Sequence, residues 1–350
     1  MSLNFRADLP IQVLLRDVKA SVDAHLTRFF EQKRSAAAAL GAPSAELVEA
    51  VAEFTMRGGK RTRPAVLIAG HLAVEPRTDL EPLLDVSAGL ELLQSYLLIH
   101  DDWMDQDQAR RGGITLHRLF GERLGDAHLG ASVAVLAGDL ASAFATELVA
   151  RSAVRSQHVA AALEVFWTMQ RDVVYGQGLD LIAYRDVALI QRLKTGSYSV
   201  RGPLLLGAVL AGASAAQVSA LERFADPVGQ AFQVCDDLLG TFGAPEKTGK
   251  PAGNDLRAGK RTAIVEEAEA RLSESERTPL TAVLGKADAS DAEVRAAMDL
   301  LERSGARAAA EARIDRLERE AEEALQTAEL SEPGRRLLVQ LAHMFAHRDH

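Results

Sequence analysis

Cysteine is nearly absent from these 350 residues: Cys235 stands alone, so no disulfide can form within the chain and a reducing compartment is the expectation. Aromatic residues make up only 5%, and alternating β-branched runs of the kind that mark strands are sparse. Positive charge is in deficit, with 40 Lys and Arg against 49 Asp and Glu, and a net charge of -9 opposes non-specific attraction to nucleic acid or anionic lipid. Long hydrophobic runs are missing too. The N-terminus carries Arg6, Asp8, Arg16 and Asp17 and lacks the apolar core of a signal peptide. The uncharged stretch from Gly202 to Ala216 is shorter than the roughly 20 residues of a membrane span. The chain is therefore expected to be soluble and cytoplasmic, with no nucleic-acid partner and no membrane span. Any anionic ligand must be met by a local basic site.

What is present is helical. Ala and Leu abound, and from Asp8 to Arg34 apolar residues recur at Leu9, Val13, Leu14, Val18, Val22, Leu26 and Phe29. Gly41-Ala42-Pro43 breaks the chain, and Ser44 reads as the cap of a second helix ending at Gly58-Gly59. A third helix is expected after Arg63-Pro64, a buried one from Leu80 to Trp103, and a loop closed by Gly112-Gly113. Further helices are expected over Gly130 to Ala150, Gln157 to Tyr175, Val187 to Ala211, Gln217 to Leu239, Arg261 to Leu272 and Asp291 to Ala328. Gly243 to Lys260 has no apolar period and reads as a long functional loop. No repeat and no linker divides the chain, so the fold class is all-α and one domain is expected over residues 1–350.

Two acidic groups close apolar runs. LLIHDDWMD ends in Asp101, Asp102 and Asp105, and GQAFQVCDD ends in Asp236 and Asp237. Taken alone, either is compatible with a solvated helix end. Together they suggest a site for hard cations, because residues four apart share a helix face about 6 Å apart along the axis. Mg²⁺ in particular takes a few carboxylates and completes its shell with water and phosphate oxygens. Cations for an anionic substrate occur in three loops: Gly58 to Arg63, Arg110 to Gly112, and Lys247 to Lys260. Cys235 reads as a small buried hydrophobe, and His117, with no second histidine at ligand spacing, as structural.

The ordered set GGKRTRP (Gly58 to Pro64), ELLQ (Glu91 to Gln94), DDWMD, RRG, KTG (Lys194 to Gly196), FQVCDD and TGKPAGNDLRAGKRT (Thr248 to Thr262) resembles the trans-isoprenyl diphosphate synthases, the polyprenyl synthetase family. The resemblance implies a helical bundle around a cavity, a homodimer, and a Mg²⁺-assisted condensation of isopentenyl diphosphate with allylic diphosphates. It implies metal ligation by Asp101, Asp102, Asp105, Asp236 and Asp237, with three ions held jointly with the diphosphate. Arg110, Lys194 and Lys250, with Lys260 nearby, would hold the allylic diphosphate. Gly59, Lys60, Arg63, Gln94 and Arg111 would hold isopentenyl diphosphate. Thr195 and Gln233 would present oxygens to the developing cation. The second motif departs from the family's DDxxD by ending in Gly240, a position expected to tolerate change.

Tyr96 is five residues before Asp101, about 7 to 8 Å along the helix, where the resemblance implies a floor for the growing chain. With Leu97 rather than an aromatic at the fourth upstream position, the implied product is geranylgeranyl diphosphate, with farnesyl diphosphate as the alternative. A class I terpene cyclase would need Ser and Glu after Asn254-Asp255, where the chain reads LRAGKRT. A non-catalytic partner subunit would have lost the aspartates that are kept here.

Overall fold

The computed structural model describes residues 10–76, 81–153, 157–182, 184–243 and 252–347. The helices are α1 (Ile11–Ala38), α2 (Ala42–Met56), α3 (Thr62–Val74), α4 (Leu83–Met104), α5 (Leu116–Leu124), α6 (Ala127–Ala153), α7 (Val159–Leu181) and α8 (Val187–Gln191). A π-helix over Arg192–Arg201 leads into α9 (Gly202–Leu210), followed by α10 (Ala215–Phe242), α11 (Asn254–Arg257), α12 (Ala263–Arg271) and α13 (Thr278–Thr281). The last three are α14 (Asp291–Arg303), α15 (Ala306–Gln326) and α16 (Glu332–Ala346). A two-residue ribbon, β1 (Ala109–Arg110) paired antiparallel with β2 (Gly113–Ile114), is the sheet among the described residues.

The contacts divide the chain into two compact units. Unit 1 comprises Met1–Gln170, Gly202–Ser214 and Ser331–Leu337. Its α1 buries Ile11, Leu14, Val18, Val22, Leu26, Phe29 and Phe30, a stripe at helical spacing. α4 is buried on every side from Leu83 to Leu93, as expected of a helix apolar all round. α3 and α9 meet backbone to backbone, where a Cβ on Gly207 would lie 1.9 Å from the Leu67 carbonyl oxygen. This explains why the Gly202 to Ala216 stretch is rich in small residues. α6 packs along α4 and α5. Its Ala127–Ser152 stretch is long and apolar enough to cross a membrane by length and composition, although, unlike Gly202 to Ala216, it carries Asp139, Glu147 and Arg151.

Unit 2 comprises Arg171–Arg201, Ala215–Leu330 and Leu338–His350. Its core gathers Val234, Leu256, Ile264, Val265, Leu280, Val283, Leu301 and Leu317 around α10, α12, α14 and α15. Cys235 is buried in it, as expected of a small hydrophobe.

Several boundaries differ from the sequence reading for physical reasons. α2 starts at Ala42 with Gly41 (φ 126) in the cap position, so Ser44 is inside the helix; Pro43 suits a first turn. The helix expected over Val187 to Ala211 is split by the π-helix. The one expected over Asp291 to Ala328 breaks where Gly305 takes φ 76 between α14 and α15. The Gly112-Gly113 loop is a hairpin, with Arg111 (φ 51) and Gly112 (φ 75) in its turn. The Gly243 to Lys260 loop contains the short helix α11.

Candidate active site

In unit 1 the acidic motif sits at the C-terminal end of α4, with Asp101 and Asp102 in its last turn and Asp105 as its C-cap. Anions at this end oppose the helix dipole, so three carboxylates here must be compensated by cations. Arg110, presented by β1, is one of them. Its Nε donates to Asp102 Oδ1 at 2.6 Å, and Nη2 lies 3.1 Å from Asp107 and 3.5 Å from Asp101. Asp102 is fully buried, and burial pushes its carboxyl up to about 6 against the pull of Arg110. Its second oxygen, Oδ2, is buried without a hydrogen-bond partner. Asp101 keeps partial exposure and Asp105 is exposed. An all-carboxylate donor set with one uncompensated buried oxygen fits a hard dication. Asp102 is the most enclosed of the three, and its Oδ1 is committed to Arg110.

The hairpin turn also aims Arg111 at the Gly58–Arg63 loop, where its Nη1 donates to the Gly58 carbonyl at 2.9 Å. Gly59 has φ 117, a backbone conformation that favours glycine, and a Cβ there would stand in ordinary contact with the guanidinium at 3.4 Å. Burial lowers the Arg111 pKa, and Arg61, Arg63 and Arg110 lower it further against the pull of Glu91. The positive charge gathered around Arg111 suits an anion. Lys60 is exposed on the same loop, and Gln94 is half-buried on α4 two turns before Asp101.

Arg61 was not singled out by the sequence, yet it is the anchor of this loop. Buried, with φ 51, it donates from Nε to Asp23 (2.8 Å), from Nη1 to Glu91 (2.6 Å) and from Nη2 to the Thr55 carbonyl (3.1 Å). It thereby ties α1, α2 and α4 to the start of α3. Tyr96 is half-buried, its ring edge-on to His100 at 4.8 Å between centroids. Burial raises its pKa, with Asp139 acting the same way and a hydrogen bond to Gln170 opposing. Leu97 is also half-buried.

In unit 2 Asp236 is exposed and Asp237 buried near the end of α10. Asp237 accepts from Gln233 Nε2 at 2.9 Å and from the Ala263 N–H at 3.4 Å, and burial lifts its carboxyl to about 6. Because Gln233 spends its amide N–H on Asp237, the side chain's orientation is fixed. Lys194, in the π-helix with half-buried Thr195, bonds Asp180 at 2.7 Å. Lys260 pairs with Asp255 at 3.0 Å, and its pKa is lowered by burial and, less, by Lys194, while Asp255 and Asp237 raise it to a net increase. Lys250 lies outside the described residues.

The surroundings of Gly240 weigh against the expectation that this position tolerates change. A Cβ there would stand 2.0 Å from Asp255 Oδ2 and 2.6 Å from its Cγ, and Asp255 is itself buried and held by Lys260. The fifth position of the second motif is glycine because the Asp255 carboxylate occupies the space. The sequence places Asp255 within TGKPAGNDLRAGKRT and after Asn254, where no cyclase motif continues, but assigns it no role of its own. Its place within GNDLRAGK, five residues before Lys260, was the available signal.

Comparison with known proteins follows the same lines. The family model described as polyprenyl synthetase matches residues 44–301. A short chain isoprenyl diphosphate synthase of Methanocaldococcus jannaschii is 34% identical over 74% of this chain and 77% of its own length. A farnesyl diphosphate synthase of Geobacillus stearothermophilus is 33% identical over 73% of this chain and 84% of its own. Among solved structures, the geranylgeranyl pyrophosphate synthase of Corynebacterium glutamicum, complexed with isoprenyl diphosphate and magnesium, superposes with a TM-score of 0.87. It is 33% identical and the match covers 97% of this chain and all of that one. With its acidic helix ends, its arginine-lined loop and these relatives, the chain belongs to the polyprenyl synthetase family.

Proposed function

We propose that this trans-prenyltransferase condenses isopentenyl diphosphate with the allylic dimethylallyl, geranyl and farnesyl diphosphates and releases the C20 product, geranylgeranyl diphosphate. The observation that carries this reading is the meeting of three carboxylates at the negative end of α4 with the arginine cluster around Arg111. Carboxylates for metal and guanidinium groups for phosphate are the two needs of a diphosphate leaving group. Asp101, Asp105 and Asp236, the more accessible of the five aspartates, would hold Mg²⁺, with Asp102 and Asp237 behind them. When bound, Mg²⁺ neutralises the charge gathering on the departing diphosphate. We take the number of ions to be three.

The chain's own residues do the rest. Lys60, Arg63 and Arg111, with Gln94 and the bare backbone at Gly59, bind and orient isopentenyl diphosphate. Lys194, Lys250 and Lys260 hold the allylic diphosphate, and Arg110 both contributes to that grip and keeps Asp102 in place. As the allylic carbon–oxygen bond breaks, Thr195 and the oxygen of Gln233 face the developing positive charge, a preorganised dipole contribution. The double bond of isopentenyl diphosphate then attacks the carbon, and the proton lost goes to the released diphosphate. Since each unit carries one acidic motif, we take residues 1–350 as one catalytic domain, working as a homodimer in the cytoplasm.

Farnesyl diphosphate remains the second reading, favoured by the ring of Tyr96, half-buried and wedged against His100. Incubating the purified chain with isopentenyl and allylic diphosphates, then dephosphorylating and separating the products, distinguishes the two. A C20 alcohol supports the first and a C15 alcohol the second.

A further inference from the structure

The aspartate motifs offer only oxygen donors, but a different donor set stands elsewhere in unit 2. α16 carries His343, and His347 follows its last residue, with the helical hydrogen bond from the His347 N–H to the His343 carbonyl kept at 2.9 Å. Residues four apart share a helix face, and the two imidazole rings lie 4.6 Å apart between centroids. From α15, Glu318 reaches between them: Oε1 is 2.9 Å from His343 Nδ1 and Oε2 is 2.8 Å from His347 Nε2. One ligand atom from each residue can be chosen so that all lie within 4.8 Å of one another.

We propose that Glu318, His343 and His347 form a binding site for one transition-metal dication of the zinc class, distinct from the Mg²⁺-type aspartates. The donor chemistry favours this ion. Two imidazoles and a carboxylate suit Zn²⁺, Co²⁺ or Ni²⁺, whereas Mg²⁺ seeks oxygen ligands alone. The geometry is close to what is needed. Ligand bonds of about 2.0 to 2.1 Å in a tetrahedral site put ligand atoms roughly 3.3 to 3.4 Å apart, reached here by small side-chain rotations. Glu318 is the more enclosed member, its side chain 16% exposed, while His343 is 68% and His347 42% exposed. Three protein ligands leave the fourth position to water.

Such an ion would brace α15 against α16. The same stretch of α16 places Phe345 edge-on to Phe232 at 5.2 Å, and Phe232 is the neighbour of Gln233 on α10. The site therefore supports the element on which Gln233 and Asp237 are carried, without touching either.

Cobalt is the probe, because a nitrogen-ligated tetrahedral Co²⁺ gives visible ligand-field bands that an all-oxygen octahedral ion does not. The full-length protein is titrated with Co²⁺ in the presence of excess Mg²⁺, which fills the aspartate site. One equivalent should bind with intense visible bands. His343→Gln and His347→Gln should each weaken binding by about tenfold or more, since even supporting groups around a metal cost that much. Asp101→Ala should leave the bands intact, and the histidine variants should keep their circular dichroism and Mg²⁺-dependent activity. Zn²⁺ should raise the melting temperature of the wild type and not of the His343→Gln/His347→Gln double variant. Unchanged Co²⁺ bands in the double variant, or no Co²⁺ binding below millimolar concentration, would overturn the proposal and leave the trio as a surface ion pair.

Discussion

At the scale of the residue, Gly240 shows how a position that departs from a family pattern can be crowded by a neighbour that the pattern does not record. A sequence motif records which side chain is missing, not what fills the vacated space, so the carboxylate of Asp255 beside Gly240 was invisible until the chain was folded. Gly240→Ala should therefore destabilise the protein by about 1 to 3 kcal/mol, the range for overpacking a filled interior, and should displace the partner of Lys260. Thermal melting and steady-state turnover of Gly240→Ala check this; a variant with wild-type melting temperature and wild-type rate would refute it. Asp237 makes a second case, with a sign that can be worked out. Its folded pKa of about 6 lies above the ordinary carboxylate value of 3.8, so the folded state holds the proton more tightly than the unfolded state between those values. Its contribution to stability is then lost as pH rises from about 4 to about 6. In EDTA, Asp237→Asn should gain stability relative to wild type across that window. Parallel denaturation curves whose difference does not change with pH would contradict the burial argument.

At the scale of the element, helices were legible where apolar spacing was strict. The stripe from Val13 to Phe29 gave α1, and the apolar run before Asp101 gave α4, each within a few residues of the observed ends. The π-helix over Arg192–Arg201 left no trace, because one extra residue per turn alters backbone hydrogen bonding without changing which residue types occur. The acidic motifs and the basic loops were readable because charge at an apolar helix end is conspicuous. Arg61 was not, since within Lys60-Arg61-Thr62-Arg63 nothing in the sequence tells the buried cation from the accessible ones. The structure makes Arg61 the clamp on Asp23, Glu91 and the Thr55 carbonyl. Arg61→Ala strips a nearly inaccessible Glu91 of its partner, and breaking such a buried pair costs about 3 to 5 kcal/mol. Urea denaturation should report a loss of that order, with the affinity for isopentenyl diphosphate weakened as the Gly58–Arg63 loop loosens. A loss below about 1 kcal/mol, the range of exposed pairs, would show the clamp to be ornamental.

At the scale of the whole molecule, the family model at residues 44–301 draws on both compact units, and the two acidic motifs fall one in each. Chain length is the property least legible in the sequence, because it depends on how deep a tunnel runs and not on which residues carry the chemistry. Tyr96 is the residue on which the C20 assignment turns. Replacing it by Ala removes a half-buried ring and should lengthen the product beyond that of the wild type, read by chromatography of the dephosphorylated alcohols. An unchanged product would remove Tyr96 from the floor of the tunnel. The most direct test of the account is a single measurement: incorporation of labelled isopentenyl diphosphate by the purified chain with farnesyl diphosphate, in Mg²⁺ and in EDTA, beside a folded Asp101→Ala variant. The account predicts a C20 alcohol in Mg²⁺, none in EDTA, and a rate lower by orders of magnitude for Asp101→Ala, because that carboxylate acts on charge present only as the bond breaks. Incorporation that survives EDTA, or a folded Asp101→Ala protein turning over at the wild-type rate, would contradict it.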